Sequence, residues 1–486
     1  MMLLISWASP LWKVDTSPDP NTYWNVGMAM RHGAVLYRDV FDHKGPLLFL
    51  AVVPLTYVGR HPMTGFWLLQ SACATAYATV CEHALEDGGL SRKKALFGTA
   101  FLCLVAYAAV PVAACTGGEF EAYALPMLAW TFTRCMGYAR RRGLLPARDG
   151  FVMGIMLGVV LWCKFSTSGL FVGIAIWAVA THGARREWGR LCRLVAAVIG
   201  GVAVVSLIPV AYMALTGSWG DFYECYILTN LLGYRPASDA ASILGGRHVA
   251  PIPAAILVMC GFRVFSAFST LFLCADSLTH VRRDSSVALL CCASVVPAVV
   301  GECAGGFCFV YYSDVLEVFM GQSLLAFLRT VGKAGTRRPS LRVLLWSPFV
   351  FAAAIGIAEA SMFWQALVAA RTSDPTRVQE RFAAEMGKDP DLLVAGNADD
   401  GFYALTGATP RVRDFTSTNA RTDEYRRAIE GYLADGVTEW VVTIDERGGK
   451  TDVGENYRLV DETDGAYDGL SHPLCGATFR LYARIE

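Results

Sequence analysis

Charge is scarce in this chain. Asp, Glu, Lys and Arg make up 17% of its 486 residues, while 54% are hydrophobic; an ordinary soluble domain carries about 25% charge. What charge there is balances, 42 basic residues against 42 acidic ones, so no global field draws the protein to nucleic acid. Paired cysteine motifs are missing as well. The sequence has 15 cysteines, yet no CxxC or Cys/His spacing suggests zinc. Most of them, such as Cys73, Cys103, Cys163 and the neighbours Cys291 and Cys292, lie inside apolar runs, where a thiol is simply a small hydrophobe. Only Cys475 falls in the polar tail, so no disulfide framework is implied. "NADDGFYALTG" (397–407) lacks the Gly-rich phosphate fingerprint of a nucleotide site. No internal repeat or low-complexity tract stands out.

What the chain has in quantity is uninterrupted apolar sequence: "GFWLLQSACATAYATVC", "ALFGTAFLCLVAYAAVPVAAC", "LCRLVAAVIGGVAVVSLIPVAYMAL", "PAAILVMCGFRVFSAFSTLFLCA" and "VLLWSPFVFAAAIGIAEASMFW". Crossing a bilayer takes about 20 such residues. The fold expected is a polytopic all-α membrane protein. Basic residues fall in "SRKK" (91–94), "ARRRGLLPAR" (139–148), "ARREWGRLCR" (184–193), "VRRD" (281–284) and "KAGTRRPSLR" (333–342), whereas the alternate loops "TGGEFE" (116–121), 216–239 and "GECAGG" (301–306) carry little Lys or Arg. Positive loops stay cytoplasmic, so the two sets are expected on opposite faces of the cell membrane.

Crossings are expected near 1–12, 63–83, 94–115, 120–138, 150–163, 167–182, 192–215, 252–279, 285–303, 307–329 and 343–363. Residues 13–62 then form a first external loop, in which the short apolar run 46–59 lies along the membrane rather than across it. The segment 1–12 spans only about 18 Å as a helix and lacks preceding basic residues, so the sequence is expected to begin part-way into its first helix rather than with a cleaved signal. Past residue 370 the composition turns polar. A strand-like "DLLVAG", a helical "DEYRRAIEGYLADG" and a strand "EWVVTID" alternate, as in a small soluble α/β domain. The expected organisation is therefore a membrane domain over 1–369 and an extracytoplasmic α/β domain over 370–486.

The unusual feature is charge placed beside a membrane-like run. "DTSPDPNTYW" (15–24) and "YRDVFDHKGP" (37–46) gather acids, bases and lysine in the first external loop. Most external loops carry some charge simply because water surrounds them. This combination, next to an interfacial helix, can also meet a lipid phosphate and a water-soluble acceptor at once. A carboxylate can take a proton from a hydroxyl, and a lysine or arginine can neutralise a departing phosphate. Lys164 stands between two apolar halves, costly unless it snorkels, pairs or acts.

An aspartate followed by a tyrosine and the helix "YWNVGMAMRHG", and then "YRDVFDHKGPLLF" (37–49), resembles the bacterial polyprenyl-phosphate-sugar glycosyltransferases of the protein-mannosyltransferase-like group (glycosyltransferase family 39-type), whose broader relatives include the lipid A aminoarabinose transferases. "GGEFEAYALPML" (117–128) and "GIMLGVVLWCKFSTSGLFVGI" (154–174) are similar to their second external loop and helix–Lys–helix segment. The resemblance implies a GT-C membrane fold and transfer of a sugar from a lipid-linked donor to an external hydroxyl, with inversion. The acceptor would be a glycan, wall polymer or protein, and no cofactor or metal is implied beyond the donor itself. It implies Asp19 as general base, with Asp15 the competitor; Lys44, Lys164 and Arg38 as contacts for donor phosphate, Arg38 pairing with Asp39 being the alternative; and Tyr23, Asp42, His43, Glu119 and Tyr311 around the substrates. For Glu119, a plain carboxylate at a helix entry is equally compatible, as is Glu121 two residues on. "CFVYYSDVLEVF" (308–319) departs from the family, because Tyr311 stands where a histidine is usual and Asp314 is unusual so near the membrane. That departure keeps a non-catalytic scaffold in view. A lipid-sugar transporter would instead show inverted repeats and mid-helix charge.

Overall fold

The computed structural model describes residues 2–12, 15–59, 61–108, 118–233, 247–248, 252–304, 307–334, 377–416, 423–446, 448–464 and 476–485. The chain opens with a single helical turn, α1 (Met2–Ile5). It does not continue as the expected crossing: the Ser9 hydroxyl donates to the Leu3 carbonyl at 2.7 Å, closing the backbone into turns up to Trp12. The first loop then holds α2 (Pro18–Arg31) and α3 (Pro46–Leu55). Both start with proline in the first turn, where the missing N–H costs nothing. At ten residues α3 is too short to cross, as its apolar run suggests.

Long helices follow: α4 (Thr64–Asp87), α5 (Arg92–Ala108), α6 (Phe120–Arg140), α7 (Ala147–Cys163), α8 (Gly169–Ala184) and α9 (Trp188–Thr216). After the short α10 (Trp219–Phe222) and a wide π-helical stretch at 223–233 come α11 (Ile252–Phe262), α12 (Val264–Thr279), α13 (Val281–Cys303) and α14 (Met320–Ala334). Beyond α1, the described helices fall along the expected crossings, with two differences. Segment 252–279 is bent by 113° at Arg263. Segment 307–329 begins as a 3₁₀ helix over Val310–Phe319, a tight geometry rarely sustained so long. The span expected at 343–363 lies outside the described residues. Among the described residues, three helices are long and apolar enough to cross alone, at 165–184, 188–216 and 281–303, and the bent pair adds a fourth.

Helix α7 packs along α9, and α8 along α13. A Cβ at Gly154 would run into the Val198 carbonyl, and one at Gly169 into that of Pro297. Small residues let membrane helices approach to backbone contact. Each of α6, α7 and α13 has a basic loop at one end and a residue of the charged cluster described below at, or just beyond, the other. The basic ends meet one another: Arg142 donates to the Arg283 carbonyl at 2.6 Å and Arg185 to that of Arg142.

The tail forms a four-stranded mixed sheet. Beyond the two-residue bridge of β1 (Arg247–His248) with β2 (Phe307–Cys308), its strands are β3 (Leu392–Ala395), β4 (Trp440–Asp445), β5 (Tyr457–Asp464) and β6 (Thr478–Arg484). Their order is β3-β4-β6-β5. Strand β3 runs parallel to β4 through the crossover helix at Asp423–Asp435, as the sequence alternation predicts. Strands β5 and β6, an antiparallel pair unmarked by strong apolar alternation in β5, escaped the sequence reading.

Candidate active site

Five separate stretches of chain bring charge together at one end of the bundle. Helix α2 presents Asp19 in its first turn, where a carboxylate suits the positive end of the helix dipole. The following loop carries Lys44, held by a set of local bonds. The Asp42 carboxylate accepts from the Lys44 backbone N–H at 2.7 Å, the Tyr37 hydroxyl donates to the Lys44 carbonyl at 2.6 Å, and Gly45 N–H donates to the Cys163 carbonyl at 2.8 Å. Gly45 lies so close to α7 that a Cβ there would strike the Trp162 carbonyl. The Asn230 side chain anchors the His43 carbonyl at 2.6 Å.

So fixed, Lys44 reaches Asp19, with Nζ 3.3 Å from Oδ1. The Tyr23 hydroxyl, one turn along α2, donates to the other Asp19 oxygen at 3.2 Å. Both side chains of the ion pair are largely buried, at 8% and 15% exposure. Burial pushes the Asp19 carboxyl up, but the charges of Lys44 and Lys164 outweigh it and hold Asp19 below the ordinary carboxylate range. Burial pushes Asp42 up against the pull of Lys44. Burial, with Lys44 beside it, also keeps His43 well below its ordinary value, so its ring is neutral.

Asp15 has a different environment. It caps its own turn, accepting from Ser17 N–H at 2.8 Å, and burial raises its carboxyl to about 7. Arg38 turns outward to Asp221, 3.4 Å away, and to the carbonyls that end α9. It joins neither the cluster nor Asp39, which accepts from Val35 N–H.

Lys164 interrupts the helical run between α7 and α8. Its backbone is extended between α7 and a short 3₁₀ turn at Phe165–Ser168, and its ammonium pairs with Glu121 on α6. It also sits over the Tyr312 ring at 4.3 Å and the Tyr311 ring at 5.2 Å. Glu119, at the N-cap of α6, is buried nearby. Asp314, beyond Tyr311, accepts from the buried Arg263 at 2.5 Å, and Glu317 accepts from the same guanidinium at 3.1 Å. That bridge ties the bend between α11 and α12 to the 3₁₀ helix at Val310–Phe319.

His43, Lys44, Lys164, Tyr311, Tyr312 and Glu302 line one cavity of about 500 Å³. Asp19 is not in its lining but stands behind Lys44. Of the sequence candidates, Asp19, Tyr23, Asp42, His43, Lys44, Lys164 and Tyr311 are brought together and Arg38 is not. The pairing of Glu121 with Lys164 and the presence of Tyr312 and Glu302 went unread. Their signal was thin: Glu302 sits in "GECAGG", which reads as an ordinary loop end.

No protein-family model matches the sequence, and no curated protein matches it. Among the solved structures that share its fold are two of ArnT from Cupriavidus metallidurans. One, in the apo state, superposes with a TM-score of 0.51 over 89% of this chain and 88% of that one, at 12% identity. The other, bound to undecaprenyl phosphate, gives 0.55 over 97% and 94%, again at 12% identity. The chain thus shares its fold with these two structures.

Proposed function

We propose, taking as premise a fold shared with a structure that holds undecaprenyl phosphate, that this chain is an integral membrane glycosyltransferase using a polyprenyl-phosphate-linked sugar. The observation that carries the reading is the convergence of Lys44 and Lys164 on one cavity, with the ionised Asp19 in contact with Lys44. Two ammonium groups suit a phosphate whose charge grows as its bond to the sugar breaks.

In the reaction, an acceptor hydroxyl gives its proton to Asp19 as its oxygen bonds the anomeric carbon. The bond from that carbon to the phosphate oxygen breaks on the opposite face, and polyprenyl phosphate departs with the electron pair, held by Lys44 and Lys164. Single displacement inverts the anomeric centre. Asp15 is the weaker candidate for base, since it is occupied in its own turn and carries a proton for much of the neutral range.

The test is mass spectrometry of envelope glycans and lipid-linked sugars from cells with the wild-type protein, with Asp19→Asn and without the protein. Loss of one glycan substituent together with accumulation of its lipid-linked donor, in both altered strains, is the expected outcome. Unchanged profiles in the strain lacking the protein would remove the function; a change there but not in Asp19→Asn would move the base elsewhere.

A further inference from the structure

The two lysines of the cavity are matched by three carboxylates, not two. Lys44 pairs with Asp19 and Lys164 with Glu121. The third, Glu302, belongs to the last turn of α13 and lines the cavity with both lysines. It is 2% exposed, and neither of its oxygens has a hydrogen-bond partner among the described residues.

A buried carboxylate without donors is costly, and this one cannot turn away to water. The backbone beside it is clamped, because a Cβ at Gly301 would press on the Ser166 carbonyl and one at Gly169 on that of Pro297. Helix α13 thus holds Glu302 against the 3₁₀ turn that follows Lys164.

What satisfies a buried carboxyl group at both oxygens is a pair of donors side by side. The phosphodiester of a lipid-linked sugar offers none. A sugar ring offers adjacent hydroxyls. Resting on the glycosyltransferase reading above, we infer that Glu302 is the sugar-recognition residue of the cavity. Its carboxylate accepts hydrogen bonds from two neighbouring hydroxyls of the donor's ring while Lys44 and Lys164 hold the phosphate. The Tyr311 and Tyr312 rings, in the same lining, supply the flat apolar wall against which a pyranose or furanose face can rest. The class of ligand is therefore a polyprenyl monophosphate sugar with a vicinal diol, and bare polyprenyl phosphate leaves Glu302 unanswered.

Binding to the purified full-length protein in nanodiscs separates the two ideas. The probes are undecaprenyl phosphate and its glucosyl, mannosyl and arabinosyl derivatives, with wild type, Glu302→Gln, Glu302→Asp and Lys44→Ala. Wild type should bind at least one glycosylated lipid more tightly than the bare one. Glu302→Gln should lower that preference by about 10- to 100-fold, the factor for a lost charged hydrogen bond, while bare-lipid affinity stays within about twofold. Glu302→Asp, which retains the charge one methylene short, should fall between the two.

Lys44→Ala should weaken bare and glycosylated lipids alike. If it weakens neither, the donor-phosphate reading fails. If it weakens both while Glu302→Gln leaves the preference intact, or weakens bare lipid equally, the role of Glu302 is overturned and the lysine site stands. A wild type with no preference for any glycosylated lipid overturns it too. Thermal unfolding of each variant guards against misfolding, and Glu302→Gln, isosteric and uncharged, should be at least as stable as wild type.

Discussion

Asp19 owes its suitability as a base to its neighbours. Lys44 and Lys164 overcome the burial that would keep it protonated, so it is ionised across the whole neutral range. Sugar transfer should therefore lose its base only below about pH 4, and a pH–rate profile should show no acid limb from Asp19 between pH 5 and 8. Asp19→Asn should cut the rate by about 10²- to 10⁴-fold, the range for losing a positioned general base, with unchanged thermal stability as the control. Lys164 carries a different kind of risk. Removing it strands Glu121, whose side chain is 3% exposed. Lys164→Met should lower stability by about 3–5 kcal/mol, as breaking a buried pair does. Lys164→Met with Glu121→Gln should recover most of that, and thermal melts around this double-mutant cycle would show it.

At the scale of elements, the site depends on helices that stop in unusual places. Helix α7 ends so that Lys164 can turn inward, and α11 and α12 fold by 113° around Arg263. Gly45 holds the lysine loop against α7. Gly45→Ala must push that loop outward, and lipid binding should weaken several-fold while helix content by circular dichroism stays the same. Glycine contacts of this sort were present in the sequence but illegible there. A glycine in an apolar run announces a close approach without saying to what. The same is true of Glu302, because the two lysines that share its cavity come from segments more than a hundred residues away. The loop signature around Lys44 was legible because its residues are consecutive and interact locally: Asp42 binds the backbone two residues on, and Tyr37 the carbonyl seven residues on. The positions of the long apolar helices were legible from apolar runs alone. Their bends were not, because a buried ion cluster such as Arg263 with Asp314 and Glu317 forms only after distant helices meet.

For the molecule as a whole, the tail is seated on the first loop. Asn25 on α2 donates to Asp399 at 2.9 Å, and Phe41 N–H donates to the Arg413 carbonyl at 2.8 Å. Burial raises Asp399 to about 6, against the pull of Asn25 and of backbone N–H groups. The folded state therefore holds this proton more readily than the unfolded chain, whose carboxyl titrates near about 3.9. The stabilisation is complete below about pH 4 and is lost as pH rises through 6, a change of up to about 3 kcal/mol. Asp399→Asn should flatten that dependence, as limited proteolysis of the tail across pH 4 to 8 would reveal. The Asn25 carbonyl oxygen, with no partner among the described residues, can accept from the new amide once its own amide group turns over.

The seat of the tail also lies in series with the lysine. Arg413 donates to the Tyr37 carbonyl at 3.0 Å, the Tyr37 hydroxyl holds the Lys44 carbonyl, and Lys44 meets Asp19. Whatever steadies one end of that line must, by reciprocity, steady the other. Saturating the protein with undecaprenyl phosphate should then slow amide exchange in the distant strand Leu392–Ala395, and Arg413→Ala should uncouple the two. A segment that touches no substrate would in that way sense whether the membrane has delivered one.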